Sequence, residues 1–320
     1  MPDRPRLIAW VERGQEKLLT DAMKEARLTL TAIGSPSSST ADAMSKSFNV
    51  ARVDDLRQAI QQEEVDLLWL AAPERLAADE RRLIREVGKT TISSEPRPVA
   101  IADLLMNPRE ADTAHFVPLF RRSPGYRSAM DAVEEFAPPQ CVVVSFACGA
   151  GEGTLFARLF DAMDMLEALC GEVEGIDAAL AGPLAAVPES LEDLHGHMTI
   201  NVRFVDNCCA GVSVSDCAGS WHRQVTLLGG KGRLRITDTG DESIGADGRL
   251  LNAHNDERSL TPGMLVGMDI TRLLEHRDTP ATAPPPNTAR LLALCEAARL
   301  SCRTGQGETP ARLLEMLSKP

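Results

Sequence analysis

The stretch VDLLWLAA, residues 65–72, decides the fold of the N-terminal half because it is apolar at almost every position. A strand with one face in water alternates apolar and polar residues, whereas a strand covered on both faces is apolar nearly throughout. Residues 65–72 are therefore predicted to form a strand buried on both faces of a sheet. Pro73 ends it, because proline cannot donate to the next ladder hydrogen bond.

Strand and helix patterns alternate on either side of this stretch. RLIAWV (residues 6–11) and LTLTAI (residues 28–33) are both typical of strands, and apolar residues at helical spacing separate them. A further helical pattern follows residue 73 and ends at Gly88. Strands that alternate with helices indicate parallel βαβ units. We predict a Rossmann-like doubly wound parallel sheet over residues 1–112.

The second half shows a different strand pattern. Apolar and polar residues alternate over residues 198–204, and residues 224–238 are typical of a hairpin that turns at residues 229–232. Residues 113–320 are therefore predicted to be an α+β domain with an open, mostly antiparallel sheet. One sheet face is polar and must meet water, a ligand or another subunit. After a linker-like stretch at residues 279–286, two terminal helices are expected to return to the N-terminal domain.

The segment LFARLFDAMDMLEALCG, residues 155–171, has the spacing of an amphipathic helix. Its apolar residues share one face, while Asp161, Asp164 and Glu167 lie on the other, and Gly171 is a suitable C-cap. Carboxylates spaced i,i+3 repel by roughly 0.2–0.5 kcal/mol per pair unless a cation or ligand compensates. The spacing favours a solvated acidic face over a polar cleft.

The composition and charge of the chain limit the classes of partner that it can bind. The chain has 320 residues and a net charge of −12, and no basic run is interleaved with aromatic residues, which argues against a nucleic-acid partner. The apolar segment near the N-terminus is too short for a signal sequence or a membrane span. We therefore expect a cytoplasmic protein.

The eight cysteines contain no CxxC pair and are expected to be reduced thiols. Cys208, Cys209 and Cys217 form the only cluster along the chain, and no histidine stands at zinc-finger spacing from them. His195 and His197 would share one face of a strand, but a metal needs more than two ligands. No metal is predicted.

A dinucleotide is the expected ligand of the first domain, at the carboxyl ends of its strands. The loop after the first strand would then read GxGxxG, but the three positions hold Ala9, Val11 and Gly14. A Cβ at either of the first two positions intrudes on the approach of the backbone to the pyrophosphate. Glu12 adds a negative charge there, and the second strand ends without an acid for the ribose.

The order of elements resembles the glucose-fructose oxidoreductase, inositol dehydrogenase and MocA family over nearly the whole chain. The stretches that carry the resemblance are VDLLWLAAPE (65–74), SSEPRPVAIADL (93–104), LFDAMDMLEALCGEVEGIDA (159–178) and NTARLLALCEAARLSCRTGQGETPARLL (287–314). The resemblance implies a dinucleotide-type domain, a sheet domain that bears the substrate cleft, and homo-oligomers formed through that sheet. It places Ala72 and Glu95, with the loop residues above, at cofactor-binding positions.

In that family a motif lysine and a downstream Asp-x-x-x-His pair transfer protons and bind substrate beside the nicotinamide. Here Pro96 stands at the lysine position, Ala157 at the aspartate and Asp161 at the histidine. The resemblance leaves as catalytic candidates Asp161, Asp164 and Glu95, and as substrate-binding candidates Arg97, Arg121 and Arg122.

Three hypotheses stay open at this point. The first is a family member without the usual hydride transfer, which binds a small sugar-like ligand or a partner. The second is a working NAD(P)-dependent oxidoreductase of a sugar or polyol, in which Asp161, Asp164, Glu95 or Arg97 replaces the usual acid and base. The third is a purely oligomeric scaffold.

Overall fold

The computed structural model describes residues 4–62, 64–256, 258–275 and 286–318, so most of the linker-like stretch lies outside the described residues. The chain forms two compact units. Unit 1 comprises Met1–Pro118, Ala150–Gly153 and Thr261–Pro285, and unit 2 comprises Leu119–Gly149, Thr154–Leu260 and Pro286–Pro320. The domain boundary between residues 112 and 113 stays a prediction.

The elements follow one another along the chain. The strands are β1 (Arg6–Trp10), β2 (Thr29–Gly34), β3 (Ala51–Val53), β4 (Leu67–Leu70), β5 (Thr90–Ser93), β6 (His115–Phe116), β7 (Cys141–Ala147), β8 (Val173–Ala181), β9 (His197–Phe204), β10 (Cys209–Ser215), β11 (His222–Gly229), β12 (Gly232–Thr237), β13 (Gly240–Gly245) and β14 (Leu250–Asn255). The α-helices are α1 (Glu16–Glu25), α2 (Ser38–Phe48), α3 (Leu56–Gln61), α4 (Ala78–Val87), α5 (Ile101–Met106), α6 (Pro124–Ser128), α7 (Met130–Phe136), α8 (Leu155–Cys170), α9 (Pro262–Glu275), α10 (Thr288–Thr304) and α11 (Pro310–Ser318).

Unit 1 is built on a six-stranded sheet in the order β3-β2-β1-β4-β5-β6. Every pairing in this sheet is parallel, which confirms the predicted doubly wound architecture. Alternate residues of β4 enter two separate cores, with Leu67 and Trp69 in one and Leu68 and Leu70 in the other. The continuous apolar run thus has the predicted cause, which is burial on both faces.

Unit 2 is built on an eight-stranded sheet in the order β14-β13-β12-β11-β7-β10-β9-β8. Only the pairing of β7 with β10 is parallel, so the prediction of an open, mostly antiparallel sheet is confirmed. Helices α8 and α10 pack on β7, β10 and β8. The side chains of β9 alternate strictly between exposed and buried, as the sequence pattern predicted.

Helix α8 corrects one expectation from the sequence. Its first twelve residues are all buried, Asp161 and Asp164 included, so the prediction of a solvated acidic face is wrong for these two positions. Arginines from distant parts of unit 2 pair with both carboxylates, and helical periodicity cannot reveal them. Gly171 follows the helix with φ at +77°, a conformation that favours glycine.

Within the described ranges, no helix combines the length and the apolar character needed to cross a membrane.

Candidate functional site

The strand order of unit 1 reverses between β1 and β4, and the carboxyl ends of these strands are where an open α/β sheet places its ligand. Gln15, the residue before α1, is buried there. Its side-chain amide donates to the carbonyl of Ala71 at 3.0 Å, and its Oε1 accepts from the backbone N–H of Glu12 at 2.8 Å. The Gln15 side chain therefore bridges the ends of the two strands.

The loop residues at the predicted cofactor positions have two different environments. Ala9, Val11 and Ala72 are almost fully buried and contribute to the cores on the two faces of the sheet. Gly14 has φ at +92°, which favours glycine at this one position of the fingerprint. Glu12 is exposed.

Trp10 at the end of β1 occupies the space beside the end of β2. A Cβ added to Gly34, the last residue of β2, would overlap the indole ring of Trp10. The indole N–H donates to the carboxylate of Glu74. Burial raises the pKa of Glu74, the Trp10 hydrogen bond opposes that effect, and the neighbouring Glu80 adds to it. This end of the sheet thus carries an aromatic ring and several carboxyl groups.

The remaining candidates of unit 1 follow β5. Glu95 and Arg97 are both almost fully buried, and the backbone N–H of Glu95 donates to the hydroxyl of Ser93 at 3.2 Å. Pro96 lies between them, and the resemblance in sequence predicts that it stands at the position of the family's lysine. Proline has no side-chain proton to transfer, so this position cannot act as an acid or a base.

Unit 2 contains a buried network of ion pairs around Asp161. Its Oδ1 accepts from the backbone N–H of Phe120 at 2.7 Å, and its Oδ2 lies 2.7 Å from Arg223 and 3.8 Å from Arg158. Arg223 also binds Asp238, with Nη2 to Oδ1 at 2.7 Å. Burial by itself lowers the pKa of Arg223, but Asp238 and Asp161 outweigh it and raise the pKa. Arg223 therefore stays charged.

Trp221 completes this network. Its ring lies 4.3 Å from the guanidinium carbon of Arg158 and 4.9 Å from that of Arg223, and its indole N–H donates to Asp238 at 2.9 Å. Cation–π contacts of this kind are worth about 0.5–2 kcal/mol each. Trp221 is partly exposed.

Asp164 lies one turn further along α8. Its Oδ2 is 2.6 Å from Nε of Arg121. Burial raises the pKa of Asp164 to about 7, against the opposing effect of Arg121. Arg122 lies close enough to lower that pKa in the same way as Arg121. A buried carboxyl group that titrates near neutral pH is typical of a functional site.

The structure thus brings Asp161, Asp164, Arg121 and Arg122 together within unit 2, while Glu95 and Arg97 belong to unit 1. Sequence reasoning missed the partners Arg158, Arg223, Asp238 and Trp221. For Arg223 a signal existed: it stands in phase with Val225 and Leu227, the buried residues of β11. An arginine in phase with the apolar face of a strand indicates a buried ion pair.

Comparisons with known proteins support the fold. No family model and no curated protein matches the chain. Among solved structures, levoglucosan dehydrogenase in complex with NADH and levoglucosan superposes with a TM-score of 0.76 at 14% identity, covering 96% of this chain and 99% of that one. GenD2 from gentamicin A biosynthesis in complex with NAD gives 0.72 at 15%, covering 97% of each. A myo-inositol dehydrogenase from Corynebacterium glutamicum gives 0.68 at 15%, covering 96% and 99%.

These structures share both sheets with the present chain, at identities that establish the fold alone. The resemblance to the glucose-fructose oxidoreductase, inositol dehydrogenase and MocA family is thereby confirmed for the architecture. The levoglucosan dehydrogenase structure is a complex with NADH, and the GenD2 structure is a complex with NAD.

Proposed function

We propose that this chain uses the fold of a sugar or polyol dehydrogenase without NAD(P)-dependent hydride transfer, and that unit 2 binds a small polyhydroxylated molecule. The observation that carries the first part is the position of Gln15. Its side chain occupies the strand ends where a dinucleotide would place its pyrophosphate, and it already uses the backbone N–H of Glu12.

Charge supports the same conclusion. A pyrophosphate binds at a helix N-terminus because free N–H groups and the helix dipole favour negative charge. Here Glu16 lies in the first turn of α1, where its carboxylate already interacts with that dipole, and the exposed Glu12 precedes the helix. Glu74 adds a third acidic group close to Glu12. These residues do not fit a dinucleotide, since its phosphates would meet several carboxylates at this helix N-terminus.

The proton-transfer positions support the absence of the usual reaction. Pro96 carries no titratable group, and Asp161 is held between Arg223, Arg158 and the Phe120 N–H. A general base has to exchange its proton with a substrate at hydrogen-bond distance. Asp161 is fully buried, so its role in this proposal is to hold the two guanidinium groups in place.

The ligand class rests on the chemistry of unit 2. Asp164 and Arg121 offer a carboxyl group and a guanidinium, and Trp221 offers a partly exposed ring. Hydroxyl-rich molecules are recognised by polar groups of this kind together with an aromatic surface. Levoglucosan and L-sorbose, which are bound in levoglucosan dehydrogenase structures with the same fold, belong to that chemical class.

Two titrations of the purified full chain test the proposal. Calorimetry and nicotinamide fluorescence with NADH and NADPH are expected to show no binding at millimolar concentration. Saturable binding of either would overturn the first part. Thermal shifts with a panel of sugars, polyols and sugar acids test the second part. A hit must disappear in Arg121→Ala and persist in Arg235→Ala, an exposed arginine of β12.

Asp164 favours one alternative function. A carboxyl group with a pKa of about 7 is half protonated at neutral pH and suits general acid–base catalysis. If NADH binds, Asp164→Asn should abolish turnover of a sugar or polyol while NADH binding persists. If neither a cofactor nor a sugar binds, the oligomeric scaffold becomes the better hypothesis.

The uncovered face of the unit 2 sheet is where we place a homo-oligomer contact. Val143 of β7 and Leu228 of β11 lie on neighbouring strands, and 42% and 36% of their surfaces are exposed. Adjacent exposed apolar residues on a polar sheet are typical of interaction surfaces. The fold relatives say nothing about assembly, so the oligomer remains our proposal.

A further inference from the structure

Sheet register brings together three potential metal ligands from two separate parts of the sequence. Strands β9 and β10 pair antiparallel, with Ser215 opposite His197. Residues immediately beyond this pair must therefore lie near one another. They are His195, before β9, and Asp216 and Cys217, after β10.

The ligand atoms of these residues approach closely. Nδ1 of His195 lies 2.9 Å from Oδ2 of Asp216, and Sγ of Cys217 lies 3.3 Å from Oδ1 of the same carboxylate. Sγ of Cys217 is 3.8 Å from Nδ1 of His195. A tetrahedral zinc ion with bonds of about 2.0–2.3 Å separates its ligand atoms by about 3.3–3.6 Å. The three observed separations, two of which involve different oxygens of the one carboxylate, bracket that range. Small side-chain shifts therefore suffice to bring one donor atom of each residue to a common metal ion.

The carboxylate is held in place from two directions. Oδ1 of Asp216 accepts from the backbone N–H of Gly196 at 2.8 Å, and Oδ2 accepts from that of Leu155 at 3.2 Å. The N–H of Cys217 donates to the hydroxyl of Ser215 at 3.1 Å. Contacts that fix the ligands in this way preserve the geometry of metal sites.

A nucleophilic cysteine explains the cluster less well. Sγ of Cys217 lies 3.6 Å from Nε2 of His195 and 3.8 Å from Nδ1, so the sulfur stands beside the ring and not in line with either nitrogen. The Asp216 carboxylate next to the sulfur would repel a thiolate. A divalent cation removes this conflict, because it compensates both negative charges at once.

We propose that His195, Asp216 and Cys217 bind one divalent transition-metal ion of the zinc class. Imidazole nitrogen, thiolate sulfur and carboxylate oxygen are the donor atoms that zinc prefers, and they are less suited to calcium or magnesium. About half of the His195 side chain is exposed, which leaves the fourth coordination position to water or to a small external ligand. Such an open site can polarise a bound water or carbonyl group.

Cobalt substitution of the full-length protein provides the test, because tetrahedral cobalt absorbs in the visible and cobalt thiolate absorbs in the near ultraviolet. The chelator-treated protein is titrated with Co²⁺ and then with Zn²⁺. We expect both bands to rise to one equivalent and zinc to displace cobalt. Cys217→Ser should remove the thiolate band and weaken zinc binding about tenfold or more, and His195→Ala should weaken it similarly.

Cys209→Ser is the matched control, because Cys209 is also an exposed cysteine of unit 2 but lies at the other end of β10. This variant should keep both bands. Absence of a thiolate band in the wild type would overturn the proposal, as would equal zinc affinity of wild type and Cys217→Ser. Circular dichroism of each variant shows that a lost band does not reflect unfolding. The test is independent of cofactor and sugar binding.

Discussion

Replacing Asp161 by alanine should destabilise unit 2 strongly, although the resemblance in sequence predicts this residue at the position of the family's catalytic histidine. Asp161 and Arg223 are fully buried, and their charged atoms are 2.7 Å apart. Removing one partner of a buried pair costs about 3–5 kcal/mol, because the other charge stays buried without it. Arg223 keeps Asp238, but the Phe120 N–H loses its acceptor and Arg158 loses a nearby opposite charge. We therefore expect Asp161→Ala to lower the free energy of unfolding by about 3–5 kcal/mol.

Urea unfolding, monitored by circular dichroism and tryptophan fluorescence, measures this loss in the free energy of unfolding. Trp221 is the only tryptophan of unit 2, and it lies against the arginines that Asp161 pairs with. Glu167→Ala is the control on the same helix. Glu167 pairs with Arg290 at 3.0 Å in a partly exposed position, so its loss should cost about 0–1 kcal/mol.

The difference in unfolding free energy between Asp161→Ala and Glu167→Ala tests whether Asp161 has a structural role. If Asp161→Ala costs no more than Glu167→Ala, the buried network does not stabilise the fold and the structural role assigned to Asp161 is wrong. Asp161→Asn keeps the volume but offers one carbonyl oxygen for two donors, and it should fall between the two. This variant provides the answer if Asp161→Ala fails to fold.

Three further predictions concern other parts of the chain. The pKa of Asp164 is raised to about 7 in the folded state, so the folded protein keeps a proton that the unfolded chain has already released. The free energy of unfolding therefore decreases as the pH rises from about 4 to about 7. Asp164→Asn should remove that decline, measured as the difference between the two unfolding curves across pH. Gly34→Ala should cost about 1–3 kcal/mol because its Cβ meets Trp10, whereas Gly211→Ala, with open space around it, should cost less in the same urea experiment. Val143→Lys should lower the molecular mass measured by light scattering if copies of the chain join through the sheet, and an unchanged oligomer would exclude this face.

The strands and their arrangement could be predicted because burial leaves a periodic trace in the sequence. The continuous apolar run of β4 and the strict alternation of β9 each depend on one element and the surface that covers it. Such patterns are local, so a single sequence contains them. The parallel, doubly wound character of the first sheet followed from the alternation of strand and helix patterns.

The candidate site was harder to predict because its partners come from distant elements. Asp161 pairs with Arg223, 62 residues away, and His195 meets Cys217, 22 residues away. Periodicity compares a residue only with its neighbours on the same element, so it placed Asp161 on a solvated face. Ala9, Val11 and Pro96 could be singled out from the sequence alone. Ala9 and Val11 stand where the GxGxxG pattern predicts glycines, and Pro96 stands where the family resemblance predicts a lysine. The bridge made by Gln15 needed the structure.

We proposed that the strand ends of unit 1 are closed to a dinucleotide, and several residues contribute to that closure, which leads to a final prediction about its reversal. Val11→Gly removes one Cβ from the loop, but Gln15 still bridges β1 and β4, and Trp10 still lies against Gly34 with its indole on Glu74. We therefore expect that Val11→Gly alone does not bind NADH in the nicotinamide fluorescence titration. Saturable binding by this single variant would mean that the Cβ is the main obstacle and that the carboxyl groups and Gln15 are not. If NADH binding instead appears when Gln15→Gly and Glu12→Ala are added to Val11→Gly, and the affinity increases with each addition, each of these groups blocks the site independently.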